Sequence, residues 1–213
     1  MAQLTMLLRV FLGLVFVCLA TGPAAAELPP LFAELQQAAA QTETLSSEFV
    51  QEKHLEMFSE TLKSRGRFTY KRPDRLRWEL LEPLASGFVL RGEKGERWNR
   101  LSGERSGFSV SGDPIMGVIA QQLLAWARVD LDWLQQRYLI AVEQEQPLQL
   151  RLVPLDQGEA GFIDHLLIRF DAGRRYVAEV LMVEPGGDST RLSFREVRIN
   201  QPLAADSFQA PEL

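Results

Sequence analysis

Cysteine is nearly missing from this chain. Its 213 residues include one Cys, at position 18, and two His, at 54 and 165. Neither paired-Cys spacing nor the H-E-x-x-H of a zinc hydrolase can be built from them. G-x-S-x-G is missing too, and so is the glycine-rich, lysine-tipped loop that cradles ATP phosphates. A nucleophile, a base and an orienting group cannot be assembled from what is left, so we expect no enzyme, no metal and no cofactor. His165 falls inside a strand pattern and reads as structural. One-signed charge blocks are also lacking: 23 basic and 28 acidic residues are interspersed, for a net charge of −5. A nucleic-acid partner would need clustered Lys and Arg, so none is expected.

Long apolar runs are scarce as well. Val10–Ala20 is uninterrupted but too short to span a bilayer. Arg9 precedes it, and Thr21-Gly22-Pro23 and the small residues Ala24-Ala25-Ala26 follow. This layout predicts a cleavable secretory signal over residues 1–26, cut before Glu27, and export to a Gram-negative periplasm. A lipidated Cys needs a small residue before it, and Val17 precedes Cys18. Cys18 therefore leaves with the signal. The mature chain, one domain over residues 27–213, enters an oxidising space without disulfides and stands on burial alone.

What is present is periodicity. Pro29-Pro30 opens a short amphipathic helix over Leu31–Gln41. From Leu45 to Gly112 the period drops to two. Phe68 and Tyr70 share one face, then Leu76, Trp78 and Leu80, then Phe88 and Leu90, Trp98, and Phe108 with Val110. Arg72-Pro73-Asp74, Glu82-Pro83, Glu93-Lys94-Gly95 and Ser102-Gly103 supply the turns. The pattern predicts an antiparallel meander with one apolar and one wet face. It breaks once. Asp113 is placed to cap a helix and Pro114 to begin it, and Ile115, Met116, Val118, Ile119, Leu123, Leu124 and Trp126 carry more apolar surface than one stripe needs. A second short helix is predicted over Leu131–Gln136. Alternation resumes with Tyr138/Ile140/Val142, Leu148/Leu150/Leu152 and Phe162/Leu166/Ile168/Phe170. Tyr176–Val183 is apolar on both faces, which predicts cover on both. Leu192/Phe194 slips phase to Val197/Ile199, predicting a β-bulge around Arg195-Glu196. About eleven strands result.

A sheet this long must hide its apolar face. It can close around a filled core, or curl into a half-barrel whose mouth the central helix plugs. The surplus on that helix favours the plug, and Met116 and Gly117 lend it adaptability. An ordinary core helix stays open as the alternative on these features alone.

The block Gly66-Arg67-Phe68-Thr69-Tyr70-Lys71-Arg72-Pro73, followed by Leu76-Arg77-Trp78-Glu79 and Glu82-Pro83, resembles the hallmark segment of the LolA family of periplasmic lipoprotein carriers. Ser47-Glu48-Phe49-Val50-Gln51, Gly92-Glu93-Lys94 before Trp98-Asn99, Pro114-Ile115-Met116 and Asp206-Ser207-Phe208 stand in the family's order. The resemblance implies a mainly β fold, an incomplete antiparallel β-barrel with a helical lid over an apolar cavity. It implies a monomer that takes acyl chains of a lipoprotein or glycolipid from an inner-membrane transporter to an outer-membrane acceptor. It also implies that Arg72 is the lid latch, bonding lid backbone when the cavity is empty; read by itself, Arg72 is a solvated turn residue. The expected cavity lining is Phe49, Phe68, Tyr70, Leu76, Trp78, Leu80, Phe88, Leu90, Trp98 and Phe108 from the sheet. From the lid it is Ile115, Met116, Val118, Ile119 and Leu123. Gly117 replaces a bulkier family position and the tail Gln209–Leu213 is short, departures that bear on cargo.

Two other classes fit less well. A lipid-binding sensor of envelope stress could use the same half-barrel, but would usually carry an added domain for its partner. An integral outer-membrane barrel would suit the alternating strands. The central apolar helix and the non-aromatic end at Leu213 do not suit it.

Overall fold

The computed structural model describes residues 30–57 and 60–212. The signal segment expected over residues 1–26 lies outside them. α1 (Pro30–Ala40) leads into β1 (Thr44–His54), β2 (Leu62–Lys71), β3 (Arg75–Glu82), β4 (Ser86–Arg91), β5 (Lys94–Asn99) and β6 (Glu104–Ser109). Then come α2 (Pro114–Arg128) and α3 (Leu131–Gln135). β7 (Tyr138–Glu145), β8 (Leu148–Pro154), α4 (Gln157–Ala160), β9 (His165–Phe170), β10 (Val177–Val183) and β11 (Ser189–Ile199) complete the described chain.

The eleven strands make one antiparallel sheet in the order β6-β5-β4-β3-β2-β1-β11-β10-β9-β8-β7. Nearly every strand pairs with its neighbour in sequence. The exception is β1 against β11, which zips the two ends of the chain together from Leu45↔Ile199 to His54↔Ser189. The middle of the chain is thereby left at the two edges, β6 and β7, and the sheet stays open between them. α2 and α3 bridge those edges in sequence. This is the incomplete barrel that the alternation implied.

The bulge falls where the phase slip placed it. Ser46 faces Arg198 while Glu48 faces Arg195, so β11 carries one extra residue, and Glu196 there turns left-handed at φ 51. Expectation and structure part at two strands. Phe162 precedes β9 and is 75% exposed, because it falls in the turn that closes the short helix α4, its amide donating to the Glu159 carbonyl. Asp156 starts α4, its carboxylate accepting from the Glu159 amide at 3.0 Å. On β10 the outward Leu181 and Val183 are half-buried, Leu181 in register with Arg191, so among the described residues no second layer covers that face.

Register decides which face each side chain takes. Phe68, Trp78 and Phe88 lie opposite one another across β2, β3 and β4, as do Tyr70, Leu76 and Leu90, and all six point to the concave side. Gly66 makes room there: a Cβ would sit 2.3 Å from the Phe49 ring, which stacks on Trp78 at 4.0 Å. Trp98 instead pairs with Gly87 in the adjoining row, with Glu79 next along it, and so lies on the convex side. It was expected in the cavity; the one-residue offset in register removes it. With Val89 and Phe208 it is buried yet apart from the main core. Arg77 stacks over its ring at 5.2 Å and donates to the Gln209 carbonyl at 2.6 Å, tying the C-terminal tail across this face.

Trp98→Ala is expected to destabilise the fold by about 3–5 kcal/mol, the usual cost of a buried large aromatic, and to speed amide exchange over residues 205–212. Urea unfolding and hydrogen exchange read both. A cost near zero would contradict a tail that depends on this ring.

Candidate functional site

The concave side of the sheet is roofed by α1 and α2. α1 turns Phe32, Leu35 and Ala39 inward. α2 begins at Asp113, whose carboxylate accepts from the Met116 amide at 3.1 Å, and buries Met116, Ala120, Leu123, Leu124 and Ala127. Gly117 allows the approach: a Cβ there would stand 2.4 Å from the Val110 carbonyl oxygen. α2 ends at Val129, held left-handed at φ 50, a costly conformation for a β-branched residue.

Phe49, Phe68, Tyr70, Leu76, Phe88 and Leu90 are buried under this roof together with Met116 and Leu123, and Trp78, Leu80 and Phe108 pack against them. The remaining lid residues go elsewhere. Ile115, Val118 and Ile119 are 73%, 46% and 41% exposed and border an outer groove with Leu155 and Phe162. They were expected to face the cavity. At 100° per residue a helix cannot turn all seven apolar residues one way, and the inner stripe is already full.

Between roof and sheet runs a narrow apolar slot. Leu45, Ser47, Phe68, Phe194 and Val197 line it from β1, β2 and β11, and Leu123, Trp126 and Ala127 from α2. Tyr176 and Val177 complete the lining. Its free volume is about 20 Å³, room for one water, against roughly 300–1,000 Å³ for a ligand pocket. The expected open cavity is therefore filled in this conformation, by the helix itself. Of the lining residues read from sequence, Phe68 and Leu123 reach the slot. Leu45, Phe194 and Val197 alternate in sequence as the others do, but only the β1–β11 pairing brings them beside Phe68.

The seam has a polar defect. Among the described residues, Ser47 Oγ, Tyr70 OH, Gln122 Nε2, Trp126 Nε1 and Arg128 Nε are buried without a hydrogen-bond partner. Each such group costs about 1–3 kcal/mol. Burial raises the Tyr70 pKa, against the pull of Arg72 and Arg128. Tyr138 is held instead: its hydroxyl donates to the Glu159 carboxylate of α4 and lies 3.1 Å from Gln122 Oε1 of α2, and burial first, then that carboxylate, raises its pKa.

Arg72 stands at the end of β2. Its Nη2 donates to the Ala39 carbonyl at 2.9 Å and its Nε to the Thr42 carbonyl at 3.1 Å. Glu43 lies 3.7 Å from Nε. The first bond reaches the last turn of α1, where the Ala39 carbonyl also accepts from the Thr42 amide, and the second reaches the turn after it; a cation there also opposes the helix dipole. The roof backbone it grips is thus that of the N-terminal helix, not of α2. His165 Nδ1 sits 2.6 Å from Asp164 at the surface, with β10 and β11 between its strand and that of His54. Among the described residues no three His, Cys, Asp or Glu converge as metal ligands, and no helix is long and apolar enough to cross a membrane.

The family model described as outer membrane lipoprotein carrier protein LolA matches residues 40–211. The chain belongs to the LolA family. Solved structures share the fold at low identity. The MucA/MucB complex of Pseudomonas aeruginosa is similar with a TM-score of 0.50 and 17% identity, over 84% of this chain and 59% of that one. The chain thus spans about three fifths of that relative. An uncharacterised conserved protein of Thermus thermophilus reaches 0.54 at 9% identity, covering 85% and 92%. The LolA superfamily protein NE2245 of Nitrosomonas europaea reaches 0.44 at 10%, covering 84% and 96%. A search of the curated proteins finds no match.

Within this LolA domain, Arg72→Leu is expected to fray the end of α1. Losing even one charge-assisted bond of about 1.5–3 kcal/mol raises amide exchange there roughly tenfold or more, while amides of β8 and β9 stay protected. Hydrogen exchange over residues 38–43 reads this; unchanged protection would show that Arg72 does not hold the helix.

Proposed function

We propose that this protein is a non-enzymatic periplasmic carrier that takes acyl chains of a lipoprotein or related envelope lipid between sheet and roof, and conveys them from the inner to the outer membrane. The slot supports this reading most directly. Its lining is almost wholly apolar, it separates a sheet from a helix rather than two parts of one sheet, and it widens if the roof withdraws. Family membership agrees with it.

The energetics favour a roof that opens for cargo and closes without it. Burying a chain of about 15 methylenes gains roughly 12 kcal/mol gross, at ~0.8 kcal/mol each. The two Arg72 bonds hold the α1 end of the roof, so lifting that end costs about 3–6 kcal/mol if both are lost. The unpartnered polar atoms along the seam make the closed contact weaker than an ordinary core. Two of them, on Ser47 and Trp126, border the slot and could donate to the carbonyl of an ester- or amide-linked chain. Closure by α2 leaves no space for the guest, so recovery of the latch bonds aids release. The step is passive, with an inner-membrane transporter as donor and an outer-membrane acceptor as its end. The likeness to the MucA/MucB complex keeps a second reading in view, a regulator that binds lipid and a protein partner.

The lack of cysteine after residue 18 makes the test direct. Leu45→Cys with Ala127→Cys places one thiol on each wall of the slot. Bridged by a short thiol-reactive crosslinker with a reducible centre, the pair should abolish binding of a fluorescent long-chain fatty acid, and reduction should restore it. Full binding by the bridged protein would remove the slot as the site. Arg72→Leu should hold the same probe longer than wild type; equal or shorter retention would remove Arg72 as latch.

A further inference from the structure

The convex face pairs its charges well in one row and badly in the next. Arg195, Glu48, Arg67 and Glu79 lie directly opposite one another across β11, β1, β2 and β3, alternating in sign. At the end of the same face the register sets Lys71 against Arg75, Arg75 against Arg91, and Arg91 against Lys94. Four cations thus stand in file across β2, β3, β4 and β5, about 4.8 Å apart from strand to strand. Like charges directly opposed across a sheet are destabilising.

Among the described residues no ion pair relieves the repulsion. All four are exposed, and among the described residues none has a carboxylate within 4.0 Å. The nearby turns carry two acids, Asp74 and Glu93, and Glu96 in the adjoining row is already engaged by Arg105. A chain of net charge −5 therefore concentrates positive charge at one end of one face. The file stops at Lys94, opposite Ser109 at the end of β6. Exposed basic side chains clustered in this way are what an anionic lipid surface attracts.

We infer that the Lys71–Arg75–Arg91–Lys94 row is a docking surface for the anionic headgroups of a membrane. The contact is electrostatic and reversible, and it sets the protein against a bilayer without inserting it. It does not depend on acyl carriage.

The test is flotation with vesicles of phosphatidylcholine, alone or with a minority of phosphatidylglycerol. Wild type should bind the anionic vesicles and not the neutral ones, and should release in about 1 M salt, where screening acts within about 3 Å. Arg75→Glu with Lys94→Glu makes the row alternate in sign. Each basic residue near such a surface strengthens attachment about fivefold, so the double variant should lose at least twentyfold. Its urea midpoint should stay equal or rise, because repulsion is relieved, and its binding of the fluorescent fatty acid should not change. Several results would overturn the inference: equal binding to neutral vesicles, retained binding in the double variant, or a lowered midpoint. Binding to soluble polyglutamate but to no vesicle would overturn it in favour of an acidic protein partner.

Discussion

The pairing of β1 with β11 is the constraint from which the rest of the molecule follows. It brings the two ends of the strand series to the centre of the sheet and sends the middle of the chain to the rims. The segment that must cross from β6 to β7 then has to pass over the concave side. That segment is α2, and its inner stripe covers Phe68 and its neighbours together with that of α1. The lid is central in the sequence for this topological reason.

Cover of this kind differs from an ordinary core. Strands exchange hydrogen bonds with their neighbours all along their length, whereas the roof meets the sheet through side chains alone, with several buried polar atoms left unpaired. The main polar ties on the roof lie at its margins: Arg72 at the end of α1, Asp113 at the start of α2, and Tyr138 bridging α2 and α4. Between those margins lies the apolar slot. A contact held at its edges and undecorated in its middle can part along the middle while the strands keep their register. The left-handed Val129 marks the point at which α2 gives way to α3, where such a movement would be absorbed.

The convex face serves other ends. Part of it is sealed by the C-terminal tail through Arg77, Trp98 and Phe208, a satellite core that stiffens β3 to β5 independently of the roof. Part of it carries charges that alternate in sign from strand to strand. The row of four cations follows neither pattern, and it occupies the strand ends nearest to Arg72 and the end of α1.

Much of this was readable from residue order. Period-two alternation gave the strands, Asp113 with Pro114 gave the start of α2, and the slip at Arg195-Glu196 gave the bulge, because each depends on neighbours within a few residues. The ordered motifs from Ser47 to Phe208 placed the family. Facing was readable only in part. Alternation says that Trp98 and Phe88 sit on opposite or equal faces only once the register between strands is known, and tertiary pairing put Trp98 outside. The seven apolar residues of α2 could be counted in sequence, but only packing against a finite concave surface decided that Ile115, Val118 and Ile119 stay in solvent. The slot belongs wholly to the tertiary structure, since Leu45 and Phe194 lie far apart in the chain and meet only through the long-range β1–β11 pairing.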